Sequence, residues 1–103
     1  MSKVIIKKYS DRVVYTLNGL YYREDGPAIE YNNGDKFWYR YHELHREDGP
    51  AVILHDGTTK WFFNGKPHRV NGPAIERANG DKEYWIDGER HREDGPAMAF
   101  YSE

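Results

Sequence analysis

The stretch His45-Arg46-Glu47-Asp48-Gly49-Pro50-Ala51 decides the fold, because the chain repeats it at a constant interval. Gly-Pro-Ala stands at 26–28, 49–51, 72–74 and 95–97, each 23 residues after the last. The four residues ahead of it are Tyr22-Arg23-Glu24-Asp25 in the first copy and His68-Arg69-Val70-Asn71 in the third. In the fourth they are His91-Arg92-Glu93-Asp94. Two more registers keep step: Asn33-Gly34, Asp56-Gly57 and Asn79-Gly80, then Asn18-Gly19, Asn64-Gly65 and Asp87-Gly88. Tyr41-His42 interrupts the last of these. Self-similarity at such a spacing marks a repeat architecture. The units run 4–26, 27–49, 50–72 and 73–95, with 96–103 as a capping strand.

Working outward, each unit reads as strand, tight turn, strand and longer connection. Asn-Gly or Asp-Gly between apolar alternation is the strongest short hairpin signal, since a type I′ turn needs positive φ at both central residues. Taking Asn33-Gly34 as a two-residue loop sets Ile29 opposite Trp38 and Ala28 opposite Tyr39. The same rule sets Val52 opposite Trp61 and Ile75 opposite Tyr84, and Ser10-Asp11 sets Ile6 opposite Tyr15. Neighbouring strand residues face opposite ways. One face therefore carries Ile6, Ile29, Val52, Ile75 and Met98 with the aromatics Tyr15, Trp38, Trp61 and Tyr84, and is the expected core. The other carries Ala28, Ala51 and Ala74 beside Tyr39, Phe62 and Trp85. No helical period survives between the turns. The expectation is all-β: one elongated single antiparallel sheet of about four hairpins, on the order of 40 Å long at two strands per unit.

Composition narrows the function. Lys and Arg number 15 against 17 Asp and Glu, so no overall basic character points to double-stranded DNA. Aromatics make up 16% of the chain, which argues against disorder, and scarce aliphatics argue against a thick core. Without cysteine there is no disulfide, thiolate metal site or Cys nucleophile. The N-terminus MSKVIIKKYSDR lacks the apolar run of a signal peptide, and no stretch is long enough for a membrane span. A soluble, cytoplasmic protein without cofactors is expected.

The stretch Trp61-Phe62-Phe63-Asn64-Gly65-Lys66-Pro67-His68 resembles the MORN repeat, a β-hairpin module. Trp61 and Asn64-Gly65 correspond to its tryptophan and Asn-Gly, His68 to its following histidine, and Ala78-Asn79-Gly80-Asp81 to its next turn. Where MORN units place glycines after the histidine, this chain has Arg-Glu-Asp-Gly-Pro, a variety similar to repeats in small bacteriophage and bacterial proteins. The resemblance implies an array of hairpins and, by analogy with members that scaffold partners or bind membranes, an interaction role.

The His-Arg-Glu-Asp segments gather catalytic residue types, yet catalysis needs one set of unlike groups converging on one substrate. Equivalent copies at regular spacing suit bracing between units, with ligand contact second, and no catalytic residues are assigned. Recurrence at one histidine per unit also fits no compact metal site. The aromatic triplets hold more promise. Tyr39, Phe62 and Trp85 form a stripe opposite the core ladder, framed by Arg46, Arg69 and Arg92 and by His45, His68 and His91. Tyr, Trp and Arg are the residues enriched at interfaces. The expected function is a non-enzymatic protein-interaction module, in keeping with a small phage-type factor that binds and modulates a host protein, and a homodimer is one form of it. Small-molecule or carbohydrate binding and single-stranded nucleic-acid binding are the alternatives. At the edges, Lys3, Lys7 and Lys8 are expected to shield Val4-Ile5-Ile6, whereas strand 97–101 is expected to pair with a partner or a dimer mate.

Overall fold

The computed structural model describes residues 3–90 and the backbone strand Met98–Ala99. All regular structure among the described residues is antiparallel β. Ten strands form the main sheet, whose path begins with Val4–Lys8 on Arg12–Leu17, onto which Leu20–Tyr21 folds back. It continues through Ile29–Tyr31, Lys36–Phe37, Val52–Ile53, Thr59–Lys60, Ile75–Glu76, Lys82–Glu83 and Met98–Ala99. The principal extents are 48 × 28 × 16 Å.

The single sheet expected from the sequence is corrected: the described strands divide among three small sheets and one large one. Three two-stranded hairpins stand off it: Tyr39–Arg40 with Glu43–Leu44, Phe62–Phe63 with Lys66–Pro67, and Trp85–Ile86 with Glu89–Arg90. The aromatic strand changes partner at one residue. Trp38 donates its N–H to the Ala51 carbonyl of the next copy, and its own carbonyl accepts from His45 on the return strand. Trp61 does the same with Ala74 and His68. Beyond that residue the chain pairs with itself, so the ladder splits.

The register also differs from the expected one. Ile29 lies opposite Phe37 rather than Trp38, Val52 opposite Lys60 rather than Trp61, and Ile75 opposite Glu83 rather than Tyr84. The loop at Asn33-Gly34 is three residues long: the Gly34 N–H reaches the Tyr31 carbonyl, and the Tyr31 N–H reaches Asp35. Of the loop residues only Gly34 has positive φ, at 102°. This is a type I turn closed by a glycine bulge, the usual three-residue hairpin. Asn33 serves instead as an acceptor, its Oδ1 taking the Asp35 N–H at 2.9 Å. Asp56 and Asn79 repeat the contact on Thr58 and Asp81. The type I′ turns are the other set, Asn18-Gly19, Asn64-Gly65 and Asp87-Gly88. Of the loops whose cross-strand pairs are expected from the sequence, Ser10-Asp11 is the one that keeps the two-residue register, with Ile6 opposite Tyr15.

These registers put Val14, Ile29, Phe37, Val52, Lys60, Ile75 and Glu83 in one cross-strand row. Val14, Ile29, Val52 and Ile75 are buried, and so is the alanine ladder, with Ala28, Ala51 and Ala74 at 0% exposure. Both faces of the alanine–isoleucine step are thus covered, whereas the sequence reading gave the core to one. Ile6 corrects that reading too: on the edge strand it is 53% exposed. Trp38 and Trp61 are only half-buried. Glu83 is a buried carboxylate in this row, held by Arg77 at 2.5 Å and the Trp85 indole at 3.1 Å. Burial pushes its pKa up, but those hydrogen bonds outweigh it and the net shift is downward.

Filling the alanine ladder should damage the fold more than altering the edge. Ala51→Leu is expected to cost about 1–3 kcal/mol by overpacking, and Ile6→Ser no more than about 0.5 kcal/mol as an exposed change. Urea unfolding followed by tryptophan fluorescence measures both, and equal losses would contradict this placement of the core.

Candidate functional site

The arginines expected to frame a partner surface are drawn into their own copies. The Arg46 guanidinium lies 4.0 Å from the centroid of the Trp38 ring, donates from Nη1 to the Pro50 carbonyl at 3.1 Å and pairs with Asp48 at 3.2 Å. Arg23 repeats this over Tyr15 with Pro27 and Asp25. Arg69 stacks over Trp61 and donates to Pro73, with Asn71 standing where the aspartate would be. The glycine of Gly-Pro-Ala has its reason here. A Cβ on Gly49 would sit 2.7 Å from the Arg46 Cζ, and one on Gly26 would sit 2.8 Å from that of Arg23. Backbone contacts then pass the clamp along the array: the Arg23, Arg46 and Arg69 N–H groups donate to the carbonyls of Tyr39, Phe62 and Trp85 in the next copy.

Those three carbonyls show that Tyr39, Phe62 and Trp85 occupy equivalent places, as the sequence pattern implied. All three side chains are half-buried. Tyr39 packs 5.0 Å from Tyr21, with burial and then Tyr21 raising its pKa, and Trp85 is engaged by Glu83 and by Arg90 at 5.3 Å. The histidines bridge copies. His45 Nδ1 accepts the Asn64 N–H at 2.9 Å, and His68 Nδ1 accepts that of Asp87 at 3.0 Å. His91 and Arg92, like residues 97, 100 and 101 of the expected terminal strand, lie outside the described residues.

One concavity was not anticipated as a unit. A cleft of about 460 Å³ opens between the first two copies, lined by Tyr22, Arg23, Glu24, Asp25, Gly26, Trp38, Tyr39, Arg40, His45, Arg46, Glu47 and Asp48. His45 lies at its buried side, with Nε2 lacking a hydrogen-bond partner among the described residues and Glu47 Oε1 3.6 Å away. The nearby turn is strained: Tyr41 and His42 have φ of 49° and 70° where the other copies use Asn-Gly or Asp-Gly. Left-handed backbone costs roughly 1–2 kcal/mol per non-glycine residue. Ring contacts accompany it: His42 stacks 4.3 Å from Tyr21, and Tyr41 lies tilted 4.8 Å from Tyr22. His42 also accepts the Tyr21 N–H and returns its own N–H to the Tyr21 carbonyl. The signal was in the sequence, as the point where Tyr41-His42 breaks the third register.

On the three-residue loops, Asp35 of one copy grips His55 of the next: Oδ1 accepts from the His55 N–H and meets its Nδ1, both at 2.8 Å. The contact raises the His55 pKa and lowers that of Asp35. Among the described residues no three His, Asp or Glu side chains converge as metal ligands. Comparison with protein-family models, curated proteins and solved structures returned no match.

Two outcomes follow from this geometry. Gly49→Ala and Arg46→Ala should each cost about 1–2 kcal/mol. The double variant should lose no more than ~0.5 kcal/mol beyond the larger single loss, because both remove one clamp. Additive losses in a double-mutant cycle would refute the clamp. For His55, an NMR titration should give a midpoint above the ordinary 6.5, restored to it by Asp35→Asn. The pair's stabilisation is therefore full below 6.5 and fades as pH rises through the raised His55 value. At the acid end it is complete above the ordinary Asp35 value of 3.8 and fades as pH falls through the lowered one.

Proposed function

We propose that this chain is a non-enzymatic protein-interaction module, a tandem MORN-like array acting in the cytoplasm as a small phage-type factor that binds and modulates a host protein. The observation that carries the reading is the first edge strand. Among the described residues Val4–Lys8 pairs on one side only, with Arg12–Leu17, and Val4, Ile5 and Ile6 are 44%, 54% and 53% exposed although they alternate between faces. An open edge that is apolar on both faces invites a further strand.

The occupant that suits it is an extended segment of the partner protein, apolar at its centre and acidic at its ends. Main-chain hydrogen bonds would supply affinity, and Lys3, Lys7 and Lys8, all exposed, would select the flanking acids. The repeated His-Arg-Glu-Asp groups support a non-catalytic reading, since Arg23, Arg46 and Arg69 and the Nδ1 atoms of His45 and His68 serve internal contacts. The half-buried stripe of Tyr39, Phe62 and Trp85 is a secondary surface on this reading.

A photo-crosslinking residue at position 5, used in host lysate, should capture one protein. Its measured affinity should drop roughly tenfold or more for Ile5→Lys with Ile6→Glu, while the melting temperature holds. Unchanged affinity in that variant, with loss instead in Phe62→Ser with Trp85→Ser, would move the interface to the stripe and overturn the edge assignment. Steep weakening by salt on a captured nucleic acid would overturn the protein-binding class altogether.

A further inference from the structure

The cleft between the first two copies is where the array departs from its own pattern. Tyr22 stands where the later copies carry His45 and His68, and Arg40 where they carry Phe63 and Ile86. Tyr41-His42, the strained pair, follows directly, and Tyr41 packs on Tyr22 of the cleft wall. A bracing contact needs no such exceptions, because Asn64-Gly65 and Asp87-Gly88 make the same turn without non-glycine strain at the second position. Independently, His45 presents a buried polar atom with nothing to bind. Its side chain is 7% exposed, and its Nδ1 lone pair is occupied by the Asn64 N–H. The neutral ring therefore carries its proton on Nε2, a donor beside the cleft carboxylate Glu47 but beyond hydrogen-bond reach of it.

We infer that this cleft binds a neutral polyhydroxylated ligand, a sugar of one or two rings. The assignment is independent of the edge-strand reading above. Four carboxylates, Glu24, Asp25, Glu47 and Asp48, face three guanidiniums, of which Arg23 and Arg46 are already paired with Asp25 and Asp48. What is left carries a small negative excess: Glu47, and Glu24 beyond its hydrogen bond with Tyr22, as acceptors, with Arg40 and the His45 Nε2–H as donors. A cation would satisfy the carboxylates and leave the histidine donor bare, whereas an anion would meet the histidine and be repelled by Glu47. A hydroxyl both donates and accepts, so once the exposed Glu47 side chain swings off the buried Nε2, vicinal hydroxyls can accept from the His45 Nε2–H and donate to Glu47 at the same time. Tyr39 and Trp38 add ring surface to the wall, and the volume of about 460 Å³ lies within the range of ligand sites, roughly 300–1,000 Å³.

The test is an NMR titration of the isotopically labelled full chain with the methyl glycosides of glucose, galactose, mannose and N-acetylglucosamine, and with maltose and cellobiose. At least one probe should give saturable shifts at the His45 side chain, Tyr39 and Arg40. The comparison variant, Arg40→Phe with Glu47→Val, writes the third-copy residues Phe63 and Val70 into the second copy. It should bind that probe roughly tenfold or more weakly, with its melting temperature unchanged or higher. No saturable shift with any of these sugars overturns the inference, as does affinity that survives in the variant. A cleft that takes spermidine or inorganic phosphate in preference to every sugar overturns the neutral-ligand assignment equally.

Discussion

A guanidinium held between an aromatic ring and a glycine is the contact on which the rest of this structure depends. Arg46 lies over Trp38 on one side and against the bare Cα of Gly49 on the other, while its Nη1 closes on the Pro50 carbonyl. Each neighbour in the Arg-x-x-Gly-Pro-Ala segment is explained by that one placement. Glycine leaves room for the flat cation, proline supplies a carbonyl without presenting an N–H, and alanine is small enough to be fully buried beneath the next strand. Because the Arg46 N–H also bonds to Phe62 in the following copy, a contact within one copy sets the position of the next. An array made this way has neighbour-to-neighbour cohesion, as solenoids do.

The same economy limits what the array can do chemically. Repeating a contact reproduces one environment along an axis and does not gather unlike groups at a point, which is what catalysis requires. Specific function is then to be sought where the translation fails: at an end, or at a copy that departs from the others. Val4–Lys8 is such an end, with backbone open on one side among the described residues and apolar side chains on both faces. The cleft lined by Tyr22 and Arg40 is such a departure, and among its lining residues is His45, with the one buried side-chain polar atom lacking a partner among the described residues. Strained backbone at Tyr41 and His42 fits the general pairing of strain with functional positions.

How far the site could be read in advance differs from residue to residue. That Tyr39, Phe62 and Trp85 are equivalent was visible from their spacing, and their carbonyls do accept from equivalent arginines. That Arg46 and Arg69 would stack on the tryptophan of their own copy was not visible. An arginine beside a tryptophan in space is separated from it in sequence by eight residues here, and exposed and stacked guanidiniums look alike in a string of letters. His45 shows the same limit: its recurrence suggested bracing, which Nδ1 performs, while the bare Nε2 follows from which side chains surround it.

The sequence by itself determined the 23-residue period, the antiparallel β class and the places where the chain turns, because those follow from local chemistry: glycine's access to positive φ, proline's missing donor and the alternation of a strand. Only the tertiary structure decided the register and the splitting of the ladder. Asn-Gly serves a two-residue or a three-residue loop equally well, and the choice between them rests on which long-range pairing buries more. Here Ile29 meets Phe37, and Asn33 caps its own turn. A shift of one residue turns every side chain to the opposite face, so a difference too small to see locally redistributed the core.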